Sequence, residues 1–168
     1  FACRRPWRTN CRWPRRERCA IPCVLRENPK GDRTLAGTIT VEIAPGELID
    51  KITILEIKSE RIKDPAKLEN VRRELDLLRA TWDESALSAH DVASLRDELK
   101  RVNETLWEIE DFIRVKEVEK SFDEQFVEFA RAVYVNNDKR AALKRRLNEA
   151  TGSTLVEEKD YPDYADAD

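Results

Sequence analysis

Residues 44–58, Ala44-Pro45-Gly46-Glu47-Leu48-Ile49-Asp50-Lys51-Ile52-Thr53-Ile54-Leu55-Glu56-Ile57-Lys58, join a helix-start signal to charges held at fixed spacing among isoleucines. Pro45 suits a first helical turn, where its missing N–H is not needed, and Glu47 complements the positive end of the helix dipole. The pattern predicts a helix running to about Ile62. At about 100° per residue, Leu48, Ile52 and Leu55 face one way while Ile54 and Ile57 lie nearly opposite. A helix apolar on two sides is either central in its domain or shared with another subunit. Glu47, Lys51 and Lys58 form a polar stripe, and Glu47 to Lys51 is the favourable i,i+4 orientation, worth about 0.3–0.5 kcal/mol as a solvated pair. Glu56 projects toward the flank of the apolar seam and needs a basic or hydrogen-bonding partner there.

Upstream, residues 38–43 alternate, with Ile39, Val41 and Ile43 on one side and Thr38, Thr40 and Glu42 on the other. This is the period of a half-buried strand, which needs a partner, and residues 153–159 are the candidate. Downstream, Asp64-Pro65 is a cap followed by a first-turn proline, and Leu68, Val71, Leu75, Leu78 and Trp82 repeat at spacings of three and four. After a loop capped by Ser88 or Asp91, the residues Val92, Leu95, Leu99, Val102, Leu106, Ile109 and Ile113 do the same. The second and third helices are therefore expected to form an antiparallel, coiled-coil-like hairpin. Ser121 and Glu124 make a capping box for a fourth helix. Asn136-Asn137-Asp138 is read as breaking it, with a fifth helix ending before Gly152. The expected fold is mainly α, an antiparallel hairpin or bundle of four to five helices, with a short N-terminal strand paired to a C-terminal one.

Charge divides the 168 residues unevenly. Residues 1–37 carry ten Lys+Arg against three Asp+Glu, a net of +7, which leaves −10 for residues 38–168. All four cysteines (Cys3, Cys11, Cys19, Cys23), Trp7, Trp13 and four of the seven prolines lie in that first segment, which has no helical or strand period. We read 1–37 as a basic extension, disordered or not native, 38–160 as a helical domain and 161–168 as an acidic tail. The extension's alternative role is nucleic-acid binding through Arg and Trp. The cysteines contain no Cys-x2-Cys pair of the kind that zinc knuckles use, so no zinc site is expected. No apolar run reaches the eighteen or so residues needed to span a membrane, and a cytoplasmic setting is expected.

Three polar groupings could carry chemistry. The first is Glu47, Asp50, Lys51 and Glu56 on the opening helix, together with Asn103, Trp107, Glu110 and Arg114 along one flank of the third helix; Trp107 would stack and Glu110 with Arg114 would anchor a ligand, or simply pair at i,i+4. The second is Asn137, Asp138, Arg140 and Lys144, a candidate anion site, in which Arg140, Lys144 and Asn148 share a helical face and could hold a phosphate or an acidic partner. The third is a magnesium alternative on Glu47-x-x-Asp50 and Glu108-x-x-Asp111, since a hard cation takes oxygen ligands. With one histidine, His90, and every cysteine in the first segment, Ser-His or Cys-His catalysis has little to work with. No cofactor is expected beyond that magnesium alternative.

The run Pro45-Gly46-Glu47-Leu48-Ile49-Asp50-Lys51-Ile52-Thr53-Ile54-Leu55-Glu56-Ile57-Lys58, with Asp64-Pro65, Asn103-x3-Trp107-Glu108-Ile109-Glu110-Asp111, Asn137-Asp138-x-Arg140-Ala141 and Leu155-Val156-Glu157-Glu158-Lys159, resembles an uncharacterised family of short bacterial proteins, a domain of unknown function. The resemblance covers residues 39–161, and the family's usual start lies near Thr38. It implies no activity and carries over no catalytic residue. The expected function is a helical protein-interaction or assembly module, partnered by its own copies or by another protein. A magnesium-dependent hydrolase or transferase acting on a nucleotide or other phosphorylated metabolite is the alternative.

Overall fold

The computed structural model of the protein describes residues 39–160. The chain divides into two units at Thr40 and Val41. Of the first unit only Ile39 and Thr40 fall in the described range, and neither has regular secondary structure. The second unit contains, among the described residues, four α-helices: α1 (Pro45–Arg61), α2 (Pro65–Asp83), α3 (Ala93–Glu119) and α4 (Glu124–Ala150), with a 3-10 turn at Ala86–Ala89. The expectations placed on residues 1–37 and 161–168, including the cysteines, lie outside the described residues.

Helix α1 is central, packing against α2, α3 and α4. Its two apolar faces serve two clusters. Leu48, Ile52 and Leu55 meet Leu75 of α2, with Val71, Leu78 and Trp82 closing around them. Ile49 meets Val92, Leu99, Leu143 and Leu147. Burying a side chain of this size is worth roughly 1.5–3 kcal/mol, so both faces stabilise the same helix, and Ile57 and Thr53 are completely enclosed. Ile49, Ile52 and Ile57 are thus buried within one chain, while Ile54, on the other side of the helix, is only half-buried.

The antiparallel hairpin is formed by α3 and α4 rather than by α2 and α3. The α2–α3 connection includes the 3-10 turn, and α3 packs on α1 and α4. The α3–α4 link, in contrast, is tight: Lys120 adopts the left-handed conformation (φ 56°) and its N–H closes on Glu117 O. Helix α4 is continuous through 136–138. Asn136 stays helical and donates its side-chain amide to Ala132 O at 2.8 Å; with no glycine or proline nearby, asparagine alone costs too little to break a helix held by packing. Asp123, not Ser121, caps α4 by accepting from Phe126 N at 3.0 Å. Neither Ser88 nor Asp91 caps α3, whose N-cap position is Val92. Asp64 caps α2 as expected.

No strand occurs among the described residues. Residues 39–44 run irregularly, with Ile39, Val41 and Ile43 exposed. Their expected partner is committed elsewhere: Lys144 binds Glu157 and Arg145 binds Glu158, laying the 153–159 segment along α4.

Gly46 fixes how closely α1 approaches α4. A Cβ there would stand 2.6 Å from Lys144 O and 2.9 Å from Asn148 Oδ1. The Gly46 N–H, one of the helix-start amides without an intrahelical acceptor, donates to Asn148 Oδ1 at 2.7 Å. Gly46→Ala should gain at most about 1 kcal/mol in helix propensity and lose about 1–3 kcal/mol by forcing two backbones apart. A net loss of stability, read as a lower urea midpoint, is the expected outcome; a raised midpoint would show that the helices separate freely.

Candidate functional site

The residues of α1 that the sequence singled out do converge with some of those on α3 and α4, at the buried interface of the three helices. Asp50, 3% exposed, receives Arg140 of α4 through two parallel bonds, Nε to Oδ1 at 2.8 Å and Nη2 to Oδ2 at 2.5 Å. Asn103 of α3 donates its side-chain amide to the same Oδ1 at 2.9 Å and to Thr53 Oγ1 at 3.0 Å. Thr53 in turn donates to Asp50 O at 2.8 Å. The loop of donors and acceptors is closed. The hydrogen bond to Asp50 is also the main reason that the Arg140 guanidinium is held above its ordinary value, burial opposing it.

One turn earlier, Lys144 pairs with Glu47 and, at 2.7 Å, with Glu157. Burial pulls the Lys144 ammonium down; hydrogen bonds to Glu157 and Glu47 more than offset it, so its value is raised. Lys144 in turn holds the Glu157 carboxyl below the usual glutamate range. Arg140, Lys144 and Asn148 therefore present one basic and polar face to an acidic partner, and that partner is the first turns of the chain's own α1.

Glu56 lies in a separate cluster. It is 5% exposed and accepts on one oxygen, Oε1, from Arg79 of α2 at 2.7 Å and from Arg96 of α3, with Lys100 at 4.0 Å from Oε2. These are the basic partners its position demanded. Lys100 reaches Glu60 at 2.7 Å, which is the main cause of its raised value.

The remaining candidates are not brought into either cluster. Lys51 pairs with Glu74 of α2 at 2.7 Å, not with Glu47, because Lys144 takes Glu47. Trp107 packs under Arg61, whose guanidinium stands 5.9 Å from the ring centroid, and Arg61 bonds Glu108 at 2.9 Å. Arg114 pairs with Glu110 and Asp111 on the exposed surface of α3. Asn137 is half-buried on α4, and Asp138 lines a cavity against residues 153–159. Among the described residues no group of three or more His, Cys, Asp or Glu could hold a metal ion. Glu47, Asp50, Glu108 and Asp111, the carboxylates of the magnesium alternative, each face a cation of the chain itself.

A model of a family of unknown function, DUF6165, matches residues 39–166. The chain belongs to DUF6165. No curated protein and no solved structure matches it. In this DUF6165 protein, Gly46, Glu47, Asp50 and Glu56 bind α1 to its neighbours, together with Lys51 and Arg61. Sequence reasoning missed Thr53, Arg79, Arg96 and Glu157. Thr53 was legible as a hydroxyl one turn from Asp50 within an isoleucine-rich helix; the two arginines sit on surface-like spacings that gave no signal. As a chemical device the Asp50 cluster binds and orients, since each of its polar atoms already has a partner: among the described residues no buried side-chain nitrogen or oxygen lacks one.

The tether of residues 153–159 should respond to pH. The Glu157 value is depressed below 4.5, so its contribution is present above that value and is lost as pH falls through the lower folded value. The Lys144 value is raised above 10.5, so its contribution is present below that value and is lost as pH rises past it. Amide exchange at 153–159 should accelerate, relative to α1, on acidification below about 4.5 and not between there and neutrality; uniform protection of both segments across that range would contradict the tether.

Proposed function

We propose that this DUF6165 protein is a non-enzymatic interaction module that assembles with further copies of itself through the distal part of the α3–α4 hairpin. The observation that carries this reading is a stretch without a core. The last residue of α1, Arg61, bonds Glu108 of α3, and from 110 to 139 no residue is buried. This arm nevertheless displays Val115, Val118, Phe122 and Val127 to solvent, Val118 at 83% exposure.

Two helices alone bury one narrow seam, here Phe112 on Phe129 with ring centroids 4.1 Å apart. A stable layer architecture needs a further element against them. Two such arms packed together make a four-helix bundle, the common solution for helices of this length, and a twofold arrangement presents each valine stripe to its copy. The opening helix, the other candidate for an intersubunit contact, has Leu48, Ile49, Ile52, Leu55 and Ile57 buried within the chain and only Ile54 partly open, which favours the hairpin. No helix among the described residues is long and apolar enough to cross a membrane, and the cytoplasmic setting expected from the sequence belongs to the same reading.

Light scattering on the full chain should report a concentration-dependent dimer or higher assembly. Val118→Asp with Val127→Asp should weaken it by about tenfold or more, ~1.4 kcal/mol, while far-ultraviolet circular dichroism stays unchanged. A monomer at every concentration, or an assembly indifferent to both substitutions, would reject the arm as the interface.

A further inference from the structure

A second cavity, of about 390 Å³, opens between α1, α2 and the α2–α3 connection. Its volume falls in the range of small-ligand sites, roughly 300–1,000 Å³. Trp82 supplies accessible apolar wall, with the buried Ile49 and Ile52 behind it, and Arg79 and Arg96 also line the cavity.

The two arginines are unusual in how little of their capacity is used. Each guanidinium carries five N–H donors, yet among the described residues each bonds only through Nη2, and both bond the same Glu56 oxygen. The buried carboxylate thus pins two guanidiniums side by side, with Nε and Nη1 of both bonded to no described residue. Ala93, the first residue of α3, also lines the cavity, and Val92 gives that helix no side-chain cap, so the positive end of the dipole adds to the guanidiniums. Two acids, Asp83 and Asp91, share the lining. With Glu56 beneath the arginines, they leave no net positive charge around the cavity and disfavour a dianion, so a ligand's carboxylate has to be held by directed bonds to the guanidiniums.

We infer that this cavity binds a small organic acid, its carboxylate held between Arg79 and Arg96 and its apolar or aromatic body packed on Trp82. The site is distinct from the hairpin arm, and its occupancy does not depend on assembly. Arginine suits the task because its planar fork matches a carboxylate in two bonds, and a lysine in its place would keep charge without that match.

The test is a titration of the full chain with phenylacetate, hexanoate, phenylacetamide and inorganic phosphate, following the Trp82 indole N–H and the Arg79 and Arg96 Nε–H by nuclear magnetic resonance, with Trp82→Phe for assignment. The carboxylates should move all three signals saturably. Phenylacetamide, the uncharged analogue, should bind about tenfold or more weakly, and phosphate should do no better. Arg79→Lys, which keeps a cation beside Glu56 and so preserves the fold, should weaken phenylacetate by a similar factor. Equal binding of the amide would remove the role of the arginines, and equal binding of phosphate would remove the role of the apolar wall. Shifts confined to other surface cations, or no saturable response from the folded protein, would overturn the site altogether.

Discussion

A carboxylate taken out of water must recover its lost hydration from the protein, or the desolvation cost of several kcal/mol falls on the fold. Asp50 recovers it from two helices at once: a two-pronged guanidinium from α4 and an amide from α3. That double attachment sets the rotation and height of α1 against the hairpin. The other contacts follow from it in sequence order, since Gly46 then meets Asn148 and Glu47 meets Lys144. On the α2 side, Glu56 draws Arg79 and Arg96 together. Apolar packing supplies the bulk of the stabilisation, but it is non-directional; the ionic contacts choose one arrangement among several that would bury the same isoleucines.

Committing α1 in this way shapes what the molecule has left for binding. Most charged residues of α1 are engaged by contacts within the chain, so the sites we propose for ligands or partners lie elsewhere. One is the cavity walled by Trp82 and the two arginines, which exists because Glu56 holds those arginines in place. The other is the hairpin arm, where α3 and α4, 27 residues each, outrun the 17-residue α1 and leave their outer valines uncovered.

Local chemistry was the legible part of the sequence. Pro45, the Asp64-Pro65 pair and the three-four spacing of leucines each act within one helix, and each element they predict is present. The two-sided distribution of isoleucines told that α1 is central, because that conclusion needs only a helical period. Partner choice was not legible: the seam of α2 shows which face is apolar but not that α1 rather than α3 receives it. The strand at 38–43 failed for a related reason, since alternation can describe a strand only if another segment is free to pair, and Lys144 and Arg145 hold 153–159 against α4. Of the candidate site, Asp50 and Asn103 were named from sequence in one grouping and Arg140 in another. Their meeting depends on tertiary geometry across 53 and 90 residues of chain.

The most direct measurement is a double-mutant cycle in urea on Asp50→Ala and Arg140→Ala. If the buried pair sets the position of α1, each single substitution leaves an uncompensated charge and should cost about 3–5 kcal/mol. The double variant should then cost well under their sum, with a coupling of about 2 kcal/mol or more. Additive losses, or single losses below about 0.5 kcal/mol, would contradict a structure organised around Asp50.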